Sequence, residues 1–517
     1  MPDMEVTPYG DSAVLINCDP TEVLAVADSL RNAGEVVLGM ASVAVLGQPG
    51  ISLIAPKPAA HHRPSARRTR SIEVRYDGVD LAAVAKSAAL TVDEVIERHS
   101  AAEYEVAMLG FAAGFPYLRG LDPRLRLPRR ATPRTSVPAG SVAIAGEWTG
   151  IYPVEAPGGW HLLGTTDQAL FDPTAREDPA FLGPGDLVRF VPVLGVGPWP
   201  RSTRSREHRR DRRDVGSVEV VRAGLTLIED LGRAGFARFG VSCSGAADPV
   251  ALRLANRLVG NADGAAALEC NLEGPTLRIH ERRTVAVVGA DCGLPTGRAI
   301  EVGAGEEIAV GMLHGCMRSY LAIEGGIVEP FTLGSCSTDT LSGLGPSRVA
   351  AGDRLRLGGT TLGRGVLRTP RLRSSTVRVM IGPHGEAAHG TRADPGPLAG
   401  WFEVTASSDR IGVRLQRVVT SPSGDGAAAE LTSLPMVTGA VQLPPDGQPI
   451  VLLADHGTTG GYPVVAVVIS ADLPIAAQAR PGDRLRFETV TRDEALAAWA
   501  DHERWLRTAV ARLDRIG

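Results

Sequence analysis

A six-residue pattern, G-D-x-[LV]-R-[FL], occurs three times in this chain of 517 residues and constrains its fold more than any other feature. The copies occupy 185–190, 352–357 and 482–487. Gly-Asp is typical of a turn, and the alternation that follows it is typical of a strand. A Gly-Gly pair precedes each copy by 20 to 27 residues. The paired spacing predicts three related β modules, one in the first half of the chain and two in the second.

Two stretches rich in Pro, Ser and Arg, 57–70 and 197–216, lack the hydrophobic periodicity of the rest of the chain. The second holds seven arginines between Arg201 and Arg213, but the formal net charge of the whole chain is -4. We therefore interpret it as a solvated linker, in preference to a surface for nucleic acid or membrane. The predicted domains are a small α/β N-terminal unit over 1–56, a β module over 72–196, the linker over 197–216, two further β modules over 217–370 and 376–490, and a C-terminal helix over 491–517.

Two amphipathic stretches in the first half predict helices. The stretch 21–31 follows Asp19 and Thr21, either of which is a suitable N-cap. The stretch 81–99 contains the pattern of a capping box, in which the side chain and backbone of Thr91 exchange hydrogen bonds with Glu94. Beyond it, turn signals recur every ~8–12 residues among Val, Ile and Leu pairs, which indicates β structure.

Composition excludes several classes of protein. A sequence pI near 6.3 argues against nucleic acid as the main partner, and no run of ~18 apolar residues predicts a membrane span. The six cysteines lie far apart without zinc spacing, so we expect no metal site and reduced thiols in a cytoplasmic protein. The chain begins without a secretory signal pattern. With Lys57 and Lys86 as its only lysines, it has neither a phosphate-binding P-loop nor a biotin attachment motif.

The densest motifs of the first half lie between residues 110 and 161. They cover 110–118, 128–134, 137–146, 151–153 and 157–161. Their glycines allow main-chain N–H groups to point at an oxyanion, and the arginines of 128–134 offer bidentate forks to a carboxylate or phosphoryl oxygen. Composition alone favours the alternative of a Gly/Pro-rich β-barrel with surface arginines.

The second half holds comparable motifs at 224–235, 242–248, 407–414 and 455–463. Asp248-Pro249 predicts a helix start whose N–H groups either hold an anion or are simply well capped, and the local pattern favours the cap. The stretch 455–463 combines an acid, a histidine, two hydroxyls, three glycines and a phenol. Because a strand gains nothing from three glycines, this stretch indicates a site.

These motifs resemble a known family in both halves. The stretch 104–171 looks like allophanate hydrolase subunit 1, also called the B subunit of 5-oxoprolinase, which is similar to the Kip inhibitor of a sporulation histidine kinase. The stretch 224–487 looks like allophanate hydrolase subunit 2, or the C subunit of 5-oxoprolinase. Together they resemble the carboxyltransferase domain of urea amidolyase. The resemblance implies a mainly β fold with an α+β N-terminal unit and cyclophilin-like barrels, one in the first half and two in the second.

The resemblance carries over residue by residue. Binding residues expected in the first half are Gly110, Gly114, Phe115, Tyr117, Arg130, Pro138, Ser141, Gly158, Gly159 and Trp160, with Gly140 in the same pattern. Those expected in the second half are Ser244, Asp248, Asn256, Asp409, Arg414, Thr458, Thr459, Gly460, Gly461 and Tyr462, with Gly245. Catalytic roles are expected for Arg134, Arg410, Asp455 and His456. The chain departs from the family pattern at Ala113, which replaces Pro, at His456-Gly457, which replace Arg-Gln, and at Ile411 and Val413.

The implied function is that of a fused B and C component in an ATP-dependent 5-oxoprolinase, which opens 5-oxoproline to glutamate together with a separate A subunit. ATP, accompanied by Mg²⁺, is the implied cosubstrate, bound on this chain or on its partner. The sequence leaves the oligomeric state open and allows a homo-oligomer.

The expected mechanism begins with phosphorylation of the amide oxygen, because a lactam carbonyl is a poor electrophile. Arg130, Arg134, Arg410 and Arg414 are the expected phosphoryl ligands. N–H groups of the glycine pairs at 158–159 and 460–461 would hold the oxyanion. Asp455 or His456 would act as general base for water.

Two alternatives stay open at this point. A biotin-dependent carboxyltransferase acting on a urea or amide nitrogen would need a biotinylated partner, because the chain has no biotinyl lysine. A regulator that docks on a histidine kinase through its first half would leave the glycine loops of the second half without an evident use.

Overall fold

The computed structural model describes residues 4–50, 67–175, 177–193, 218–360, 374–385, 396–418 and 433–514. Strands dominate this part of the chain, so the mainly β class is confirmed. The predicted linker 197–216 and the termini of several predicted domains lie outside the described residues. The chain forms an N-terminal unit and three β modules, and the packing of these units against each other determines where the candidate site lies.

The N-terminal unit is a four-stranded antiparallel sheet with one helix against it, in the strand order β1-β2-β4-β3. Its elements are β1 (Glu5–Pro8), β2 (Ala13–Asn17), α1 (Val23–Ser29), β3 (Glu35–Leu38) and β4 (Ser42–Leu46). The predicted caps of α1 were wrong: Glu22 is at the N-cap position without a side-chain bond. Asp19 instead accepts hydrogen bonds from the backbone and hydroxyl of Thr21, in a turn before the helix.

The first β module is a seven-stranded half-barrel in the order β12-β9-β10-β7-β6-β13-β5, with a two-stranded ribbon β11-β8 at its side. Its elements are β5 (Thr69–Val74), α2 (Leu81–Ala88), α3 (Val92–Ala101), β6 (Glu103–Leu109), β7 (Pro116–Arg119), β8 (Arg134–Val137), β9 (Ser141–Ala145), β10 (Trp148–Ile151), β11 (Ala156–Gly158), β12 (His161–Thr165) and β13 (Leu187–Pro192). The stretch predicted as helical over 81–99 forms two helices, because Ala89 adopts a left-handed conformation that ends α2. The capping box of Thr91 and Glu94 then begins α3, as predicted.

The second β module consists of a four-stranded sheet, β20-β17-β14-β22, and a five-stranded sheet, β15-β16-β21-β18-β19. Its elements are β14 (Val218–Arg222), β15 (Thr226–Glu229), α4 (Pro249–Leu258), β16 (Ala267–Asn271), β17 (Thr276–Ile279), β18 (Arg283–Asp291), β19 (Ala299–Val302), β20 (Glu307–Ala309), β21 (His314–Ile323) and β22 (Arg354–Leu355). Asp248 caps α4 by accepting a hydrogen bond from the Ala251 N–H at 3.0 Å, as its sequence predicted.

The third β module is a closed barrel in the order β23-β30-β27-β28-β25-β24-β31, accompanied by the ribbon β26-β29. Its elements are β23 (Thr376–Ile381), β24 (Phe402–Val404), β25 (Gly412–Arg417), β26 (Leu434–Pro435), β27 (Ala440–Gln442), β28 (Ile450–Leu452), β29 (Thr459–Gly460), β30 (Val464–Val468), α5 (Leu473–Ala477) and β31 (Arg484–Thr489). A long helix, α6 (Arg492–Asp514), follows and packs on α4 through Trp505, Leu506 and Ala509.

The repeated Gly-Asp pattern forms the same turn in all three modules. The Asp carboxylate accepts a hydrogen bond from the N–H three residues before it, and the Gly before the Asp has a φ of 84° to 89°, where side chains other than glycine are strained. The donor–acceptor pairs are Gly183–Asp186 at 2.9 Å, Ala350–Asp353 at 2.9 Å and Arg480–Asp483 at 2.8 Å. Each turn leads into a strand, β13, β22 or β31, so the repeat is structural.

The two halves of the chain share hydrophobic cores. The core of the first module includes four side chains from the second half, namely Phe239, Val241, Leu333 and Leu344. A second shared core joins Tyr9 and Leu15 of the N-terminal unit to Met436 and Val467 of the closed barrel. The Tyr9 hydroxyl also donates to the Pro435 carbonyl at 3.0 Å. Because each half completes the interior of the other, the described residues form one packed body.

Candidate functional site

The glycine loops of the two halves meet directly. The backbone N–H of Phe111 donates to the Thr459 hydroxyl oxygen at 3.0 Å. A Cβ on Gly110 would lie 2.2 Å from that oxygen, so this approach requires glycine. On the other side, a Cβ on Gly457 would lie 3.3 Å from the Phe111 carbonyl oxygen. The loops 110–118 and 455–463, which hold predicted site residues of the two halves, therefore form a single junction.

A cluster of buried aromatic rings supports the first-half side of this junction. Phe115 contacts Tyr117, Tyr152 and Trp160 in edge-to-face arrangements, with centroid distances of 5.1, 5.2 and 5.5 Å. Burial raises the pKa of Tyr117, whose hydroxyl lies against Thr459 and keeps its proton. A Cβ on Gly158 would lie 2.2 Å from the Tyr152 hydroxyl, so the rings also fix the position of the second glycine loop. The rings therefore connect the loops at 110, 158 and 459.

Arg130 and Arg134 form ion pairs with the buried Asp80. Its Oδ1 accepts from Arg134 Nη2 at 2.8 Å and from Arg130 Nη1 at 3.0 Å, and its Oδ2 accepts from the Leu162 N–H at 2.8 Å. Burial opposes ionisation of Asp80, but the two arginines and the backbone bond outweigh it and lower its pKa. Residue 134 pairs with Gly158 between β8 and β11, and the Arg130 N–H donates to the Gly159 carbonyl at 2.8 Å. Both arginines therefore position the 158–159 loop.

The remaining first-half residues of the predicted set serve local turns or the contact between halves. The Gly114 N–H donates to the carbonyl of Phe239 at 2.8 Å, across the boundary between the halves. The hydroxyl of Ser141 donates to the carbonyl of Pro138 at 2.7 Å and closes the turn before β9. The fold alone therefore explains why Gly114 and Ser141 occupy these positions.

A buried cluster of charged groups anchors the start of the 455–463 segment. The carboxylate of Asp455 accepts from Arg410 Nε and Nη2, each at 3.0 Å. It also accepts from the Ser244 hydroxyl at 2.8 Å, and from the Thr340 hydroxyl at 2.6 Å and N–H at 3.0 Å. Burial opposes ionisation of Asp455, but the charge of Arg410 and these bonds outweigh it, so its pKa is lowered. Asp455 is an ionised group whose acceptor positions are all occupied.

Arg410 joins this carboxylate to a second one, Glu269. Its Nη1 donates to Glu269 Oε1 at 2.6 Å, and its Nη2 also donates to the Gly245 carbonyl at 2.5 Å. Tyr320 and the Ala247 N–H donate to the other oxygen of Glu269 at 2.8 and 3.0 Å. Burial opposes ionisation of Glu269, but Arg410 outweighs it and the pKa of Glu269 is lowered. The cluster thereby links the second module to the closed barrel.

These contacts do not support the catalytic roles expected for Asp455 and Arg410. Asp455 is 0% exposed and Arg410 5% exposed, and the hydrogen-bonding groups of both are committed to protein partners. A general base needs a free lone pair within reach of water, and a phosphoryl ligand needs free N–H groups. The geometry assigns both residues a positioning role beneath the junction.

His456 is likewise committed to protein partners. Its Nδ1 lies 2.8 Å from the Gly457 carbonyl oxygen, which can only accept, so Nδ1 carries the proton. Its Nε2 lies 3.2 Å from the Thr438 hydroxyl and is then the acceptor. Burial lowers the pKa of the ring, which keeps it neutral. The neutral imidazole therefore fixes the turn at Gly457 and has no free lone pair for water.

Some of the other predicted second-half residues lie at the junction, and the rest lie on the surrounding helix α4 or at strand β25. Asn256 is buried and bonds to the carbonyl of Ala265 at 2.7 Å, at the C-terminal end of α4. The carboxylate of Asp409 accepts from the N–H groups of Ile411 and Gly412, and Arg414 is exposed on β25. The residues at the junction itself are Thr458, Thr459, Gly460, Gly461 and Tyr462, of which Tyr462 is exposed.

A cavity of about 1130 Å³ is lined by residues of both halves. Its first-half wall includes Val154 and Glu155, immediately before the 158–159 loop. Its second-half wall consists of Phe236 and the segments 330–334 and 338–348, which include Thr338 and Thr340. Because the lining residue Thr340 binds Asp455, the cavity wall and the buried charged cluster are in direct contact. We call this space the inter-half cavity.

Sequence reasoning did not identify the residues that line this cavity or complete the charged cluster. None of the predicted site residues lies among its lining residues, and Glu229, Glu269, Asp339 and Thr340 were not predicted. One signal was present for Glu229. It lies inside the 224–235 motif and ends an apolar run, Leu-Thr-Leu-Ile, where a charged residue is rarely buried without a partner.

The described residues contain no group of three or more His, Cys, Asp or Glu side chains placed to bind a metal ion. Within the same described ranges, no helix is long and apolar enough to cross a membrane.

The chain matches the two family models of the carboxyltransferase domain. The model for subdomains C and D matches residues 4–182, and the model for subdomains A and B matches residues 239–489. The order of the two matches follows the two halves of the structure.

Curated relatives match each half separately. The C subunit of 5-oxoprolinase from Escherichia coli (strain K12) is 36% identical over 311 residues, covering 57% of this chain and 98% of that protein. The B subunit of 5-oxoprolinase from Escherichia coli O157:H7 is 40% identical over 204 residues, covering 35% of this chain and 93% of that protein. Urea amidolyase of Saccharomyces cerevisiae is 32% identical over 305 residues, which are 52% of this chain but only 16% of that protein.

A solved structure matches both halves together. The crystal structure of TTHA0988 has a TM-score of 0.80 and 33% sequence identity, and the match covers 92% of this chain and 99% of that one. The chain belongs to the carboxyltransferase-domain family, and it joins a homologue of the 5-oxoprolinase B subunit to a homologue of the C subunit in one polypeptide.

Proposed function

We propose that this chain is the B/C component of an ATP-dependent 5-oxoprolinase and opens the lactam of 5-oxoproline to glutamate together with a separate A subunit. One observation carries the proposal. The loops that meet through Phe111 and Thr459 come from the two halves whose relatives are named as the B and C subunits of 5-oxoprolinase. A site built from both halves explains why they are joined.

The proposed substrate site is the inter-half cavity, which the Thr340–Asp455 contact connects to the second-half loop of this junction. A space of about 1130 Å³ exceeds the ~300–1,000 Å³ of ordinary small-molecule pockets, so it has room for a small lactam and for a group delivered by a partner. Its lining combines polar residues, among them Glu155, Thr338 and Thr340, with the apolar side chain of Phe331, which suits a small amide. The oxyanion role of the glycine pairs stays a prediction.

The arginines of this chain do not favour a nucleotide site on the described residues. Arg130 and Arg134 are paired with Asp80, Arg410 is enclosed by the charged cluster, and Arg414 lies exposed on β25. These settings are separate, whereas a triphosphate needs convergent cations. We therefore assign ATP, with its Mg²⁺, to the partner protein.

The test is reconstitution with a candidate A subunit. The rate of phosphate release that depends on 5-oxoproline, and the amount of glutamate formed, are measured with each component omitted in turn. Activity should require both chains. Thr459→Val, which removes the oxygen that binds Phe111, should lower the rate, whereas the exposed control Glu403→Gln should not. Glutamate formation that is unchanged when this chain is omitted would refute the proposal.

A second candidate function is transfer of a carboxyl group onto a urea or amide nitrogen. The match to carboxyltransferase-domain models and the similarity to urea amidolyase favour it. It requires biotin on a partner. Avidin blotting of co-purified proteins, together with biotin-dependent carboxylation of urea, distinguishes it from the first proposal.

A further inference from the structure

Glu229, the last residue of β15, is a buried carboxyl group in an unusual setting. It is 0% exposed, and neither of its oxygens has a hydrogen-bond partner among the described residues. Its closest charged neighbour is Arg410, whose Nη2 lies 3.5 Å from Oε1. Asp455 and Glu269, by contrast, take the hydrogen bonds of the same guanidinium. Arg410 thus faces three carboxyl groups and binds only two of them closely.

The charges around Glu229 do not balance if every carboxyl group is ionised. The buried acids of the cluster are Glu229, Glu269, Asp339 and Asp455, and the buried bases are Arg233, Arg318 and Arg410. At least one negative charge is in excess, and an uncompensated charge is costly inside a protein. The other three acids accept hydrogen bonds from the protein, whereas Glu229 accepts none from the described residues. The excess is therefore removed most easily by a proton on Glu229, in agreement with its raised pKa, for which burial is the main cause.

Thr338 is bonded to the backbone next to Glu229 and also lines the inter-half cavity. Its N–H donates at 2.9 Å to the carbonyl of Ile228, the residue before Glu229. Its hydroxyl is buried without a hydrogen-bond partner among the described residues, although the residue lines the cavity. The acid and the hydroxyl thus stand on backbone segments that are bonded to each other, and neither has a partner among the described residues. Such groups are expected to bind each other after a side-chain rotation, or to bind a shared water, because leaving each unsatisfied costs ~1–3 kcal/mol.

We propose that Glu229 is a neutral buried acid that passes its proton through the Thr338 hydroxyl to the inter-half cavity. The hydroxyl accepts the proton of Glu229 and releases its own to the molecule in the cavity, so Thr338 is unchanged. Glu229 becomes a carboxylate, which the nearby Arg410 stabilises, and it recovers a proton from water by the reverse route. The groups that face it and set its protonation are Arg410, Glu269, Asp455 and Arg233.

Under the proposed function, on which this role rests, the receiving atom is the lactam nitrogen. Ring opening breaks the C–N bond, and the leaving nitrogen needs a proton as it departs. A neutral carboxylic acid can supply it, whereas the ionised Asp455 cannot.

The first test measures the proton and needs no activity. Infrared spectra of the whole chain, labelled with carboxyl-¹³C glutamate, should show a protonated-carboxyl band that is lost in Glu229→Gln. In D₂O the band should shift, and Thr338→Val should slow that shift by about tenfold or more. Thr405→Val is the matched control, because its buried hydroxyl also lacks a partner among the described residues but lies on the closed barrel. The proposal would be overturned if Glu229→Gln kept every protonated-carboxyl band, or if the band shifted in D₂O as fast in Thr338→Val as in the wild type.

The second test uses the complex reconstituted with the A subunit. Glu229→Gln should lower kcat for ring opening by about 10²-fold with little change in KM, because it removes a general acid and keeps the shape of the site. A normal kcat in this variant would reject the catalytic role even if the band is present. A wild-type complex that opens no lactam would refute the proposed function instead, and the exchange experiment would still decide whether the proton route exists.

Discussion

The Phe111 N–H donates to the Thr459 hydroxyl oxygen over 3.0 Å, and so joins two loops that lie almost 350 positions apart in the chain. Gly110 makes this bond possible, because any side chain at position 110 would collide with Thr459. The contact turns two separate glycine motifs into one junction. Its second-half loop begins at Asp455, which binds Thr340 in the wall of the inter-half cavity.

Gly110→Ala should destabilise the junction. A Cβ at this position would lie 2.2 Å from Thr459 Oγ1, and overpacking of this kind costs ~1–3 kcal/mol. The free energy of unfolding in urea should fall accordingly. Gly359→Ala is the control, because position 359 has open space around its Cβ. Equal stability of the two variants would show that the junction yields to the extra methyl group.

The two halves should assemble when they are produced as separate chains, 1–193 and 218–517. Leu333 and Leu344 of the second half complete the core of the first module, so each half alone would expose apolar surface. Co-expression with a tag on one half and size-exclusion chromatography should show a 1:1 complex. Leu344→Ala should weaken it by ~2–5 kcal/mol, whereas Val79→Ala, at an exposed position, should not. Independent folding of both halves without association would contradict the shared cores.

Arg410→Met should cost ~3–5 kcal/mol of stability, because it leaves Asp455 and Glu269 as buried charges without a cation between them. The two carboxyl groups would then have pKa values raised by burial, so the deficit should shrink as the pH falls from 7 to 5. Urea unfolding at several pH values measures both effects. Arg414→Met, which removes an exposed arginine four residues away, should stay within ~0.5 kcal/mol of the wild type.

His99 should make the first module sensitive to acid. Its ring is buried, bonds to the Tyr76 hydroxyl at 2.8 Å and the Thr149 hydroxyl at 2.9 Å, and stacks on Phe190. Burial lowers its pKa to about 3, compared with ~6.5 in an unfolded chain. Between these pH values only the unfolded state binds the proton. The stability that the neutral, buried His99 contributes is therefore complete above pH ~6.5 and is lost as the pH falls towards 3.

His99→Gln should flatten this dependence, because glutamine keeps polar atoms near both hydroxyls but does not titrate. The urea midpoint, measured from pH 7 to 4, should fall less steeply in the variant than in the wild type. His314→Gln, the same change at an exposed position, serves as the control. Identical slopes in all three proteins would show that other groups govern the acid response.

Local sequence signals predicted the parts of the fold that are set by backbone chemistry. The Gly-Asp turns at 185, 352 and 482 each form the same bond from a backbone N–H to the Asp carboxylate, because the short Asp side chain reaches back three residues. The caps at Thr91 and Asp248 were predicted for the same reason. The cap of α1 was wrong, since Asp19 satisfies the turn before the helix instead of the helix itself. The break at Ala89 carries no glycine or proline to mark it.

The candidate site was predicted as a set of loops but not as a set of roles. The glycine loops at 110 and 459 do meet, in agreement with their unusual composition. Asp455, Arg410 and Arg134, however, proved to be committed to protein partners that lie far away in the chain. A sequence shows that a residue has a charge, but not whether another residue has already neutralised it.

The sequence by itself determined the family, the three related modules and the loops that form the junction, because turn chemistry and the order of motifs are local properties of the chain. Only the tertiary structure decided that the halves share two cores, that Arg410 faces three carboxyl groups and that Glu229 receives none of its close hydrogen bonds. The physical reason is that burial and pairing arise when distant segments pack, and they decide whether an acid is ionised, and therefore what it can do.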